Sequence, residues 1–139
     1  MRVLLDTNVV LDVLLVRAPF VETSSQVWQR VDDGSIEGYV LASAVTDIFY
    51  LARKQVGLKT AHKAIRTCLN AFEICTIDRP MLDRALMLSG SDLEDNLQEA
   101  CALIYGLDAI VTRDKEGFKS SNIPTLTPAE LLSQLASTS

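Results

Sequence analysis

The chain has 139 residues and a mass of 15.3 kDa, with 48% hydrophobic and 22% charged residues; this is the balance of one ordinary folded domain and excludes a disordered, collagenous or low-complexity chain. Its 13 Lys and Arg against 18 Asp and Glu leave a formal charge of −5, which argues against indiscriminate nucleic-acid binding. The charge is unevenly spread, however: between Ile48 and Phe72 stand Arg53, Lys54, Lys59, Lys63, Arg66 and the only histidine, His62, without a single acid.

The longest apolar stretch, Val3 to Val16, is interrupted by Asp6, Asn8 and Asp12, so neither a membrane span nor a signal peptide is expected. Cys68, Cys75 and Cys101 lack C-x-x-C spacing and sit among apolar neighbours, which predicts buried thiols in a reducing, cytoplasmic setting. No repeat or linker is visible, so residues 1–139 form a single domain with a short polar tail from Ala136 to Ser139.

In chain order, Val3-Leu4-Leu5 suits a strand buried on both faces, and Val10, Leu11, Leu14 and Leu15 recur at helical spacing after it. Beyond Pro19 a helix is expected from Glu22 to Asp33, with Val27, Trp28 and Val31 inward and Gly34 closing it. A strand at Gly38–Leu41 leads to a helix capped by Ser43, with Val45, Ile48, Phe49 and Ala52 inward, ending near Gly57. Thr60 is expected to cap the next helix, which buries Ala61, Ala64, Ile65, Cys68 and Leu69. Glu73–Ile77 alternates like a strand, and Asp78 with Pro80 opens a helix through Leu82, Ala85 and Leu86. Ser91 or Asp92 starts a further helix burying Leu93, Leu97, Ala100, Cys101 and Ile104 up to Gly106. Ala109-Ile110-Val111 is a buried strand, Thr125-Leu126 a short edge strand, and Thr127-Pro128 caps the last helix. Alternating strands and helices predict an α/β fold in three layers, a short parallel sheet with helices on both faces.

In such a sheet, ligands bind beyond the carboxyl ends of the strands. Asp6 ends the first strand and Asp114 follows a late one, while Asp47 is expected in the first turn of its helix and Asp92 and Asp95 at the start of theirs. Any one of these acids suits a cap or a turn, but four on one edge repel. A carboxylate pair at about 4 Å costs roughly 4 kcal/mol at an effective dielectric near 20, so a cation is implied. With oxygen donors and no cluster of His or Cys, that cation is hard, Mg²⁺ or Mn²⁺, and the matching chemistry is metal-assisted attack of water on a phosphodiester.

Leu5-Asp6-Thr7-Asn8-Val9, Asp47, Asp92-Leu93-Glu94-Asp95-Asn96-Leu97 and Ile110-Val111-Thr112-Arg113-Asp114, in this order, resemble the acidic motifs of PIN domains. The closing Ile123 to Glu130 stretch resembles the bacterial branch that includes VapC-like toxins. The resemblance implies a small Mg²⁺- or Mn²⁺-dependent endoribonuclease, the toxin of a type II toxin–antitoxin pair, with RNA as substrate, an antitoxin as partner and a homodimer as its assembly. It implies Asp6, Asp47, Asp95 and Asp114 as the metal-binding positions, Asn8 supporting Asp6 and Thr112 supporting Asp114. Asp92 matches an additional acid seen in part of the family, and its place equally suits a helix cap. Asp47 stands where Glu is commoner; one methylene shorter, it reaches an ion only if its helix sits closer or through a water.

Among the remaining polar residues, Asp12 reads as solvated or structural, and His62, with no acid near it in sequence, is a poor general base. Trp28, Phe49 and Tyr50 read as core or interface rather than base-stacking platforms, while Phe20, Val21 and Trp28 form a candidate apolar interface. The basic run Arg53, Lys54, Lys59, Lys63 and Arg66 suits contacts to a phosphate backbone. A phosphatase of the haloacid-dehalogenase type would want an acid where Asn8 stands, and a receiver-type domain would want a different motif order. From another class, a non-catalytic RNA-binding or scaffolding module would share the fold without needing the full carboxylate set.

Overall fold

The computed structural model describes residues 1–138, and its first apolar run forms the strand at the centre of the sheet. That strand, β1 (Arg2–Leu5), pairs in parallel with β2 (Glu37–Leu41) on one side and β4 (Ala109–Val111) on the other. β3 (Glu73–Cys75) and β5 (Thr125–Leu126) close the two edges, giving the order β3-β2-β1-β4-β5. Helices cover both faces, which is why Val3, Leu4, Val40, Ala109, Ile110 and Val111 are fully buried.

Between β1 and β2 lie α1 (Thr7–Leu14) and α2 (Val21–Asp32), and between β2 and β3 lie α3 (Ala42–Val56) and α4 (Leu58–Ala71). The chain then returns across the sheet through α5 (Arg79–Met87) and α6 (Leu93–Tyr105), and α7 (Pro128–Thr138) packs back on α2. Because the connections run from β1 towards β3 and then back to β4, the strand order reverses at the β1/β4 pair. That reversal opens a crevice at the carboxyl ends of the two central strands.

Several boundaries differ from the sequence expectation for local reasons. Gly57, at φ 85°, ends α3 and directly precedes α4; this backbone conformation costs glycine little and lets two helices abut without a linker. Thr60 therefore sits inside the first turn of α4 rather than capping it. α3 itself starts at Ala42, ahead of Ser43, which puts Asp47 in its second turn rather than its first. Leu69, Ile104, Leu93 and Leu86 are 52%, 45%, 51% and 71% exposed instead of inward, because Ala61 and Cys68 take the inner face of α4, Met81 and Ala85 that of α5, and Leu97, Ala100 and Cys101 that of α6. Ala136 to Thr138 continue α7 instead of forming a tail, and Ser139 lies outside the described residues.

The expected apolar patch on α2 is also filled from within. The Trp28 ring meets Phe72 edge-on at 4.6 Å, and the Arg113 guanidinium lies 3.8 Å over the Phe20 ring. Other expectations match: Asp78 and Asp92 cap α5 and α6 by accepting the backbone N–H groups of Met81 and Asp95. Thr127 and Glu130 form a reciprocal capping box on α7.

Candidate active site

Asp6 leaves β1 at the crevice, where its backbone N–H donates to the Val111 carbonyl of β4 at 2.9 Å. Its carboxylate accepts four hydrogen bonds. Oδ1 takes the Thr7 N–H at 2.7 Å and Gln98 Nε2 at 3.1 Å; Oδ2 takes the Thr112 hydroxyl at 2.7 Å and Asn8 Nδ2 at 3.3 Å. These donors fix the positions of both oxygens. Asn8 thus supports Asp6 as expected. Thr112 does not support the Asp114 carboxylate: its hydroxyl donates to Asp6 and accepts only the Asp114 backbone N–H, at 3.0 Å.

Asp6, Asp47, Glu94, Asp95 and Gln98 line one cavity of about 340 Å³. Two of its acids are far from their ordinary protonation behaviour. The Glu94 carboxyl hydrogen-bonds the Asp47 carboxyl, and this contact, with burial and the charges of Asp47, Asp92 and Asp6, pushes Glu94 up to about 7. Asp95 is pushed up to about 6, first by burial and then by the charges of Asp92, Asp6 and Asp114. In both shifts the charges of neighbouring carboxylates take part. The short side chain of Asp47 is accommodated by pairing with Glu94, an acid with no assigned role in the sequence reading.

Asp114 caps the 3-10 turn Lys115–Phe118 and faces Asp95 across Gly117. A β-carbon on Gly117 would stand 2.7 Å from Asp95 Oδ2 and 3.5 Å from Asp114 Oδ2, so a side chain there would displace the Asp95 carboxylate. Neither Asp114 nor Asp92 is in the cavity lining, and Asp92 uses its carboxylate to accept the Asp95 backbone N–H and cap α6. The nearby amide oxygens Gln98 Oε1 and Asn8 Oδ1 are buried without a hydrogen-bond donor. An all-oxygen set with two orphaned carbonyl acceptors fits a hard divalent cation. Among the described residues no three His, Cys, Asp or Glu stand close enough to enclose an ion.

Other expected residues fall elsewhere. Arg53, Lys54, Lys59, Lys63 and Arg66 are exposed on α3 and α4, and none lines the cavity. The His62 ring meets Phe49 edge-on, with centroids 5.3 Å apart, and does not line the cavity. Asp12 is not solvated but completely buried, paired with Arg17 at 3.0 Å and Arg113 at 2.7 Å, and both arginines line the cavity. Gln98, between Leu97 and Glu99, carries no mark of its role in the sequence, and the arginines carry none either, since Gln98 meets Asp6 and Arg113 meets Asp12 only through the fold. A larger hollow of about 560 Å³ lies at the opposite end of the sheet, but its one acid, Asp108, already accepts the Arg2 backbone N–H at 2.8 Å.

A parallel five-stranded α/β/α domain with carboxylates gathered at this crevice matches a PIN-domain family model over residues 2–116, and the chain belongs to the PIN-domain family. Among solved structures it is similar to a VapBC complex of Rickettsia felis bound to a promoter DNA fragment, at 12% identity and a TM-score of 0.72, covering 91% of this chain and 98% of that one. A toxin–antitoxin complex from Klebsiella pneumoniae matches at 22% identity and 0.69, covering 91% and 97%. A sarcin–ricin loop cleaving VapC toxin of Mycobacterium tuberculosis matches at 12% identity and 0.68, covering 84% and 93%. No curated protein matches the chain.

Proposed function

We propose that this protein is a divalent-metal-dependent endoribonuclease, the toxin of a type II toxin–antitoxin pair. The observation that carries the proposal is the gathering of Asp6 and Asp95, with the Asp47–Glu94 pair beside them and Asp114 close to Asp95, at the carboxyl ends of β1 and β4. The toxin–antitoxin assemblies among the structural neighbours support the biological setting and an antitoxin as partner. Three free, buried cysteines support a reducing, cytoplasmic location, and no helix of the described residues is long and apolar enough to cross a membrane.

In this reading Asp6, Asp95 and Asp114 hold one or two Mg²⁺ or Mn²⁺ ions, with Asp47 and Glu94 alongside. A bound ion would lower the pKa of water and neutralise charge developing on the phosphate oxygens. The chain's own work is positional. Thr7, Asn8, Gln98 and Thr112 hold both Asp6 oxygens in place. Gly117 leaves room between Asp95 and Asp114. The exposed cations Arg53, Lys54, Lys59, Lys63 and Arg66 attract the RNA backbone from outside the cavity. Leu86 and Met87, 71% and 84% exposed on α5, offer apolar surface to a second copy of the chain.

The test is cleavage of a mixed RNA panel by purified protein with Mg²⁺, with Mn²⁺ and with EDTA, beside Asp6→Asn and Asp95→Asn. Cutting that needs the metal and disappears in both variants is the expected result. Wild type and variants that behave alike would leave a binding or scaffolding role instead.

A further inference from the structure

Asp12, Arg17 and Arg113 form a cluster that the carboxylate chemistry leaves unused. Asp12 sits on α1 with 0% of its side chain exposed, whereas Arg17 and Arg113 are 33% and 28% exposed and reach the cavity wall. Arg113 presents Nε at 2.7 Å and Nη2 at 3.3 Å to the two Asp12 oxygens. Arg17 places Nε 3.0 Å from Asp12 Oδ1 and donates Nη2 to the Asn8 carbonyl at 3.3 Å. Neither Nη1 makes a hydrogen bond among the described residues.

One buried carboxylate needs one counterion. Here it has two, so the cluster carries an excess positive charge at the rim of a cavity whose other charged residues are acids. The arginines are also held in place at some cost. The turn carrying Arg17 passes through Val16 at φ 51°, a conformation that β-branched residues rarely adopt and that marks strained, functional segments. That turn is fastened by the Arg17 N–H on the Asp12 carbonyl at 2.9 Å. Arg113 is clamped from its other side by the face of Phe20 at 3.8 Å.

We infer that Arg17 and Arg113 are substrate-binding residues that grip a backbone phosphate at the cavity rim, and that Asp12 is the positioning residue that aims them. This rests on the nuclease reading above and adds the group that holds the phosphate opposite the carboxylates. Guanidinium groups suit the task because their planar array of donors can bond Asp12 on one edge and a phosphate oxygen on another.

The experiment is binding of a fluorescein-labelled, mixed-sequence single-stranded RNA, read by anisotropy from 50 to 300 mM KCl with Ca²⁺ in place of Mg²⁺. Wild type is compared with Arg17→Gln, Arg113→Gln and Asp12→Asn. Each Arg variant is expected to bind about tenfold more weakly and to lower the slope of log affinity against log salt by about 0.7, the value for one lost phosphate contact on a single strand. Asp12→Asn is expected to weaken binding and to lower the slope, which a purely structural residue would not do. A second measurement needs no variant: RNA should protect Arg17 and Arg113 of the wild-type protein from phenylglyoxal, read by mass spectrometry. Unchanged slopes, or equal modification with and without RNA, overturn the assignment while leaving the nuclease reading standing. Wild type that binds no RNA at all overturns both.

Discussion

The two ends of the sheet treat charge in opposite ways. At the amino ends of the strands, Arg2 donates Nε and Nη2 to the Tyr39 hydroxyl and Nη1 to the Tyr105 and Gly106 carbonyls, and it pairs with Glu37 at 3.3 Å. At the carboxyl ends, Asp6, Asp47, Glu94 and Asp95 share one cavity, and Glu94 and Asp95 hold their protons well above the ordinary carboxylate range. Charges that are matched, as around Arg2, serve the scaffold. Charges that are gathered without a match mark where something from outside must complete the set. Asp12, buried beside the site, stands between the two cases: its one carboxylate meets two arginines, Arg17 and Arg113, and leaves a positive charge over.

The comparison can be broken most severely at Asp6. Asp6→Asn removes a charge from the cluster while keeping its shape, so RNA cleavage should fall about a thousandfold, the several kcal/mol that ion-assisted chemistry supplies. The melting temperature in EDTA should hold or rise, since repulsion is relieved. Asp12→Ala should do the reverse of a site variant and unfold the domain more easily. It strands two guanidinium groups, a loss of about 3–5 kcal/mol that chemical denaturation would register. Thr112→Val removes one donor to Asp6, and cleavage or metal affinity should drop about 10- to 100-fold, as for other partners that orient a ligand.

Acidity sharpens the contrast. Glu94 and Asp95 rise in the folded state to about 7 and about 6 from ordinary values of 4.5 and 3.8. Between roughly pH 4 and pH 7 the native state therefore binds more protons than the unfolded one. Their contribution to stability is full below the ordinary carboxylate range and is lost as the pH climbs through 6 and 7. Melting in EDTA should accordingly fall from pH 5 to pH 8, and Mg²⁺ should flatten that decline. The smallest effect belongs to the other end of the sheet: Arg2→Ala exchanges surface pairs for water, so cleavage should not change and melting should shift only slightly.

How much of this was legible in the sequence depends on whether a feature is local. Strand ends, helix caps and glycine stops are decided by neighbouring residues, so β1, β4, the Asp78 and Asp92 caps and the Gly106 terminus follow from short patterns. Asp6, Asp95 and Asp114 were readable because each sits at a strand end or a helix start. Features joining distant segments were not. Thr112 bonds Asp6 across 106 positions and Gln98 bonds it across 92, so Thr112 was paired with the wrong carboxylate and Gln98 was missed. The basic run on α3 and α4 was conspicuous in composition, yet the cations that line the cavity, Arg17 and Arg113, come from elements that meet only in three dimensions.

The central claim is that the unmatched carboxylates at the carboxyl ends of β1 and β4 exist to hold a divalent ion. Calorimetric titration of Mn²⁺ into the metal-stripped protein tests it directly, with Asp6→Asn, Asp95→Asn and Arg2→Ala run alongside. The account predicts saturable binding in the wild type and in Arg2→Ala, with proton release that grows as the pH is lowered from 8 to 6, and its loss in both Asp variants. Absence of saturable heat in the wild type, or binding that survives in Asp6→Asn and Asp95→Asn, would contradict it.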